Sequence, residues 1–139
     1  MTLSFTIPGR VSGKGRPKFA RRGNFVTAYT PEKTRTMESV VRDFASQAMR
    51  GKELIVGPVS LEICALLHPA ESWSKKRKAA AKWVTGKPDC DNIVKLCGDS
   101  LNGIVWKDDS QISLLSFSRR YVQSGPEEVR ITVTSLDGA

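Results

Sequence analysis

The stretch KPDCDNIVKLCGDSLNGIVWKDDSQI, residues 87–112, combines an apolar pattern of helical period with five aspartates. The pattern predicts a helix over residues 91–101, and Asn102-Gly103 is a typical helix stop. Its polar face carries, at positions i, i+4, i+8 and i+11, Asp91, Lys95, Asp99 and Asn102. Asp89 lies just before this helix, and Asp108-Asp109 follow the return stretch 104–106. The sequence therefore allows carboxylates from the helix entry and from the following loop to converge.

Convergent carboxylates repel one another, so a group of them in a folded protein indicates a compensating cation. Oxygen ligands of this kind favour Mg²⁺, Mn²⁺ or Ca²⁺ over zinc. In a basic protein such a site favours metal-assisted phosphodiester hydrolysis, with Lys95 stabilising charge on the phosphate. The same residues also fit a solvated helix face, with Asp89 as N-cap and residues 108–110 as a turn. Spacing alone leaves both interpretations open.

The net charge of +8 comes from 22 basic and 14 acidic residues, and it is unevenly distributed. Residues 1–52 hold eleven basic side chains against three acids, which equals the whole net charge. Residues 72–87 add six basic side chains with no acid, directly before the acidic stretch. A polyanion such as DNA is therefore the expected partner.

The general composition points to one folded domain. The hydrophobic fraction of 40% over 139 residues is close to the globular norm and argues against disorder. No apolar run reaches the roughly 20 residues of a membrane helix, and the N-terminus does not resemble a signal peptide. We expect a cytoplasmic protein. Three cysteines and one histidine, without metal-ligand spacing, predict reduced and mostly packed thiols.

Hydrophobic periodicity predicts a single α+β domain with a mixed β-sheet packed by helices. Strands are expected at residues 3–7, 59–67, 112–121 and 129–133, and a short one at 25–29. Helices are expected from the Thr30-Pro31 start to residue 50, and over residues 74–83 and 91–101. The last two strands are expected to form an antiparallel hairpin, and residues 9–24 a flexible basic loop. Three aromatic residues in basic surroundings are expected mainly in the core, with base stacking as the alternative: Phe19, Phe25 and Trp73.

The acidic stretch closely resembles the signature of the RusA family of Holliday junction resolvases, endonucleases often carried by bacteria and their prophages. That signature reads approximately D-x-D-N-x-x-K-x-x-x-D-x-L-x-G … D-D-x-Q-[IV], and residues 89–112 fill every defined position. Looser similarity extends to the first strand, the basic loop after it, the long helix and the final strands. So many polar identities at fixed gaps are far more specific than a lone D-x-D.

The resemblance implies a Mg²⁺-dependent homodimer, with Mn²⁺ as a substitute, that nicks four-way DNA junctions symmetrically. The family's metal ligands fall on Asp89, Asp91 and Asp109, with Asp108 as an additional candidate, and its essential lysine falls on Lys95. We expect Asp99 to contact Lys95 and so to support the site. The whole chain, residues 1–139, would form one RusA-like endonuclease domain, bacterial or phage-encoded and associated with the nucleoid.

Basic side chains outside the motif are expected to bind DNA phosphates with little sequence preference. They are Lys14, Arg16, Lys18, Arg21 and Arg22 in the basic loop, and Lys75, Lys76, Arg77 and Lys78 in the basic helix. Two other functions remain open: a nuclease for a wider range of branched DNA, and a non-catalytic DNA-binding protein. The second leaves the five aspartates unexplained.

Overall fold

The computed structural model describes residues 1–15, 18–29 and 32–136. Within those ranges it contains six strands and three helices. In chain order they are β1 (Thr2–Pro8), β2 (Lys18–Arg22), β3 (Phe25–Tyr29), α1 (Glu32–Ala48), β4 (Val59–Leu67), α2 (Lys75–Ala80), α3 (Cys90–Ser100), β5 (Ile112–Tyr121) and β6 (Glu128–Ser135). The predicted α+β class is confirmed.

The main sheet has four strands in the order β1-β6-β4-β5. The β4–β5 pair is parallel, whereas β6 is antiparallel to both β1 and β4. The mixed sheet that the sequence predicted is therefore confirmed. Alternate residues of β4 are completely buried, because the central strand turns one face towards the helices: Val59, Leu61, Ile63 and Ala65.

The predicted hairpin between the last two strands is wrong, because β4 lies between them. The chain leaves β4, passes through α2 and α3 and returns as β5, and such a crossover produces a parallel neighbour. Strand β6 then enters between β1 and β4, where Val129, Ile131 and Val133 are buried. Strand β5 stays at the edge, and both Leu114 and Leu115 are exposed there.

Part of the predicted basic loop is a second, two-stranded sheet, so the loop expected at residues 9–24 is corrected. Strands β2 and β3 form a hairpin whose two-residue turn is Gly23-Asn24. Gly23 has φ +61°, which fits the first central position of a type II′ turn and suits glycine. The strand predicted at Phe25–Tyr29 is confirmed. The helix start predicted at Thr30-Pro31 lies outside the described residues.

The helices cover the main sheet with apolar faces of helical period. In α1 the buried apolar residues are Val41 and Ala45, and α3 buries Ile93, Leu96 and Cys97. Helix α2 is shorter than predicted, and Ser74 caps it by accepting a hydrogen bond from the backbone N–H of Arg77 at 3.1 Å. No helix among the described ranges is long and apolar enough to cross a membrane.

Of two side-chain expectations, the packing of the thiols is confirmed in part and the burial of the aromatic residues is largely wrong. Burial raises the pKa of the Cys97 thiol to about 12, as expected of a packed cysteine, but Cys90 is exposed. Phe19 and Phe25 are 71% and 76% exposed, so their assignment to the core is wrong. Both lie on the two-stranded sheet, which offers too little apolar surface to bury them.

Candidate active site

Helix α3 carries the first pair of carboxylates at its N-terminus. Asp89 occupies the N-cap position in extended conformation, and its side chain makes no capping hydrogen bond within the described residues. Asp91 lies in the first turn. Both side chains are exposed, while Ile93 and Leu96 anchor the helix in the core. The two carboxylates therefore face solvent from a rigidly held helix end.

The segment that leads into α3 and the first turn of the helix are held by contacts on two sides. Arg119 of β5 donates from Nη1 to the carbonyl oxygens of Gly86 and Pro88, at 3.1 and 2.8 Å. On the other side lies an extended segment, residues 10–15, which we call the N-terminal strap. A Cβ atom on Gly13 would lie 2.7 Å from Cβ of Pro88, so only glycine permits this approach. The backbone N–H of Lys14 donates to the carbonyl of Asn92 at 3.0 Å.

A second pair of carboxylates lies at the other end of α3. The ammonium of Lys14 lies 2.7 Å from Oδ2 of Asp99, and both side chains are about three-quarters buried. The pKa of Asp109 is raised by burial, by its hydrogen bond with Asp99 and by repulsion from Asp108 and Asp99. Asp99 and Asp109 are therefore neighbours, and Lys14 compensates the charge of Asp99.

The loop that delivers Asp109 is held by Trp106 and Gln111. Trp106 is completely buried, and its Nε1 donates to Oδ1 of Asn102 at 2.7 Å. The Gln111 amide donates to the carbonyls of Ile55 and Gly57, both at 2.9 Å. Its Oε1 accepts from the backbone N–H of Asp108 at 3.2 Å. These contacts tie the loop to the core at one end and to the segment before β4 at the other.

Asp108 has a structural role in the same loop. Its Oδ2 accepts a hydrogen bond from the backbone N–H of Ser110 at 3.1 Å and caps the 3₁₀ helix Asp109–Gln111. Hydrogen bonds from the hydroxyl and the backbone N–H of Ser110 lower the pKa of this carboxyl. The pKa values of the two neighbouring aspartates are thus shifted in opposite directions, and the environment of Asp109 is the one that disfavours the charged form.

The predicted metal ligands do not lie at one point, because Asp89 and Asp91 are at the N-terminal end of α3 and Asp109 neighbours Asp99 at the other end. Eight residues of helix separate Asp91 from Asp99, a rise of about 12 Å. Across the described ranges, no group of three acidic, histidine or cysteine side chains is close enough to hold a metal ion. Lys95 is exposed midway, and no ion pair within 4 Å involves it among the described residues. The ion-pair partner of Asp99 is Lys14, not the predicted Lys95.

The shift of Asp109 predicts an unusual effect on stability. The pKa of Asp109 is raised in the folded state, so the folded protein binds the proton of this carboxyl more tightly than the unfolded chain does. The stability that the bound proton contributes is lost as pH rises through the folded pKa. Asp109→Asn removes this partly buried charge. In urea unfolding with EDTA, we expect the variant to be more stable than the wild type at pH 7.5, with the difference shrinking as pH falls.

The matched control is Asp108→Asn. The pKa of Asp108 is lowered, so its contribution is present above the unfolded pKa and lost as pH falls through the folded pKa. This variant should be less stable than the wild type at pH 7.5, with the difference again shrinking in acid. If both variants shift stability in the same direction at pH 7.5, the opposite environments of the two carboxyls are not real.

The predicted DNA-binding side chains form two exposed basic surfaces. Lys18 and Arg21 are exposed on the β2–β3 hairpin, and α2 exposes most of its basic residues. The guanidinium of Arg77 lies 3.8 Å from the ring centre of Trp73, which itself packs edge-on against Tyr121. Arg16 and the side chain of Arg22 lie outside the described residues.

Several residues that build the site were missed or misassigned in the sequence. Lys14 was assigned to phosphate but pairs with Asp99, 85 residues away. Arg119 and Gln111 orient the loops that carry the aspartates. The signal for Gln111 was its fixed place in the D-D-x-Q motif, two residues after Asp109. Neither Arg119 nor the pairing of Lys14 has a local sequence signal.

Comparison with known proteins identifies the family of the chain. A family model described as "Endodeoxyribonuclease RusA" matches residues 8–134. The chain is also 35% identical over 139 residues to "Uncharacterized protein YqaN" of Bacillus subtilis (strain 168), which covers 96% of this chain and 97% of the relative. The match includes all of the main-sheet strands in whole or part, together with α3 and the loop that follows it. The chain belongs to the RusA family of endodeoxyribonucleases.

Proposed function

We propose that this protein is a Mg²⁺-dependent, homodimeric Holliday junction resolvase that cuts four-way DNA junctions by symmetric phosphodiester hydrolysis. The observation that carries the proposal is the exposure of Asp89 and Asp91 at the N-terminal end of α3 and of Lys95 one turn further along, in a member of an endodeoxyribonuclease family. These three positions are defined positions of the family signature. The domain would comprise residues 1–139.

The chemistry of the donor set fits a hard divalent cation. The side chains at the site are carboxylates, and Mg²⁺ usually takes one or two carboxylates together with water and substrate phosphate. Asp89 and Asp91 are exposed and able to bind in this way. The pKa of Asp109 is raised first by burial and then by its neighbours Asp99 and Asp108, and a cation would relieve the repulsion among these carboxylates. We propose Asp89, Asp91 and Asp109 as ligands of Mg²⁺, with Mn²⁺ as a substitute and Asp108 supporting the loop. Because no three such side chains of the described residues surround one point, Asp89 and Asp91 would bind the cation first, and Asp109 would approach it only in the complex with metal and DNA.

The bound cation would activate a water molecule and offer positive charge to the oxygens of the scissile phosphate. The residues of the chain would contribute orientation and positive charge. Lys95 lies on the same face as Asp91, one turn further along α3, and its ammonium would donate to the phosphate oxygens as negative charge develops on them. The N-terminal strap and Arg119 would hold the helix end in position against the bound strand.

A dimer with a two-fold axis would present two such sites to a two-fold junction. The exposed Leu114 and Leu115 on the edge strand β5 support a contact between copies, because an open strand edge with exposed leucines favours pairing. Each protomer carries a net charge of +8, so the dimer would bind phosphates strongly at low salt. We place this activity in the cytoplasm, at the nucleoid of a bacterium or at phage DNA.

Substrate comparison tests the proposed preference. Single-turnover cleavage in Mg²⁺ should be measured on a four-way junction, a replication fork, a 5′ flap and a linear duplex of the same arm sequences. We expect the junction to be cut at least about tenfold faster than each of the others, a difference of about 1.4 kcal/mol in the barrier. Equal rates on junction, fork and flap would replace this proposal with a nuclease of wider range.

A further inference from the structure

The β2–β3 hairpin is a ribbon that lacks a partner within the described chain. It forms its own two-stranded sheet, separate from the main sheet. Its described side chains are exposed apart from Ala20, which is half-buried, and Val26 is 67% exposed on the same face as Phe19. A hairpin of two strands is marginally stable alone, and clustered exposed apolar side chains mark a binding surface.

Strand register divides the ribbon into two faces. Arg21 pairs with Val26 and Phe19 pairs with Ala28, so these four side chains lie on one face. Phe25 pairs with Arg22 on the opposite face, directly beside the turn. The ribbon therefore presents one apolar and basic face and an aromatic side chain at its tip.

Charge identifies the partner. Residues 1–31 contain six basic side chains and no acid, and Lys18 and Arg21 are exposed on the ribbon. A second copy that met the ribbon with its own ribbon would bring the same positive charge to the contact and be repelled. DNA provides both negative phosphates for the basic residues and base faces for the aromatic rings. A two-stranded ribbon also has the right width for a DNA groove.

The position of the ribbon connects it to the candidate active site. Lys18 at its base lines a cleft of about 1090 Å³ together with Gly13 and Pro88. The same Gly13 and Pro88 line a second cleft of about 570 Å³, which contains Lys14 and Asp89. The two clefts therefore lie next to each other, with Gly13 and Pro88 between them. A DNA strand bound by the ribbon could continue past the N-terminal strap to Asp89.

We propose that the ribbon recognises the branch point of DNA by stacking Phe25 on bases that are unstacked there, while Phe19 and Arg21 contact the adjoining arm. This inference rests on the proposed function, because it names the part of the substrate that the ribbon reads. Linear duplex keeps its bases stacked, so Phe25 has no base face to contact in it. The ribbon therefore supplies preference for branched DNA rather than general affinity.

The test uses the full-length protein with Phe25→Ala and, as rescue, Phe25→Trp. Binding is measured in Ca²⁺ on a four-way junction and on linear duplex, with 2-aminopurine placed at the branch point of the junction. We expect Phe25→Ala to weaken junction binding about tenfold and duplex binding less than twofold, and to abolish the fluorescence change at the branch. Phe25→Trp should restore both. Leu136→Ala, which removes an exposed apolar side chain outside the ribbon, is the control.

Two results would overturn the inference by giving the ribbon a different role. One is equal loss of junction and duplex binding with Phe25→Ala, which would mean that the side chain gives general affinity only. The other is a change from dimer to monomer in sedimentation, which would assign the ribbon to a contact between copies. If the wild type itself neither binds nor cuts junctions, the proposed function fails; if it does both and Phe25→Ala is indistinguishable from it, only the inference about the ribbon fails.

Discussion

Asp91→Asn is expected to reduce Mg²⁺-dependent cleavage of a four-way junction by about 10³-fold, equal to about 4 kcal/mol of barrier. The substitution keeps the size of the side chain but removes the charge that would hold the cation. Because Asp91 is exposed in the first turn of α3, the fold should be retained. Junction binding in Ca²⁺ or EDTA should also survive, since the basic surfaces are unchanged.

Asp43→Asn is the matched control, because Asp43 is also an exposed aspartate on a helix, but outside the candidate site. It should cleave at the wild-type rate. Both variants are assayed under single-turnover conditions, with gel-shift titrations of the same junction. Loss of binding together with cleavage in Asp91→Asn would assign Asp91 a structural role. Wild-type cleavage by Asp91→Asn would remove it from the active site.

Trp106→Ala is expected to have the largest effect on stability, a loss of about 3–5 kcal/mol in the free energy of unfolding. Trp106 is the largest completely buried side chain, and its Nε1 donates to Asn102. Its removal leaves a cavity beneath the loop that delivers Asp109 and leaves the Asn102 acceptor without its partner. For a domain with a typical stability of about 5–15 kcal/mol, this loss is large.

Trp83→Ala provides the matched control, because it removes the same side chain from a position that is 62% exposed. Its cost should stay below about 1 kcal/mol. Trp106→Phe should fall between the two, because it keeps most of the packing and loses the hydrogen bond. Urea unfolding of the three variants measures these differences. Similar losses for Trp106→Ala and Trp83→Ala would contradict the central place of Trp106 in the core.

Local sequence patterns predicted helix α3 well and pointed to the candidate site on it. The apolar residues of α3 recur at helical period, and the aspartates keep fixed spacing around it, so a sequence signal exists for both. The α+β class and the central strand β4 followed from the same kind of pattern. Burial of alternate residues in β4 satisfies a periodicity that is visible without any knowledge of its neighbours.

Contacts between distant segments were not predictable in this way. The glycine and proline between β5 and β6, Gly125 and Pro126, indicate a change of direction, but nothing in either strand indicates that β4 lies between them. The partner of Lys14 depends on the strap lying along α3, which Gly13 permits through a close approach to Pro88. The exposure of Phe19 and Phe25 depends on their strands forming a separate sheet. In each case the outcome depends on how distant segments pack together, which local sequence patterns do not show.

The most direct test of the proposed function is cleavage of a synthetic four-way junction, labelled in turn on each strand, by folded wild-type protein. We predict paired nicks at equivalent positions in two opposing strands in Mg²⁺, and no nicks in Ca²⁺ or EDTA. Salt-sensitive junction binding by a folded dimer without any cleavage, across varied salt, Mg²⁺ and Mn²⁺, would contradict it and leave a DNA-binding protein without nuclease activity.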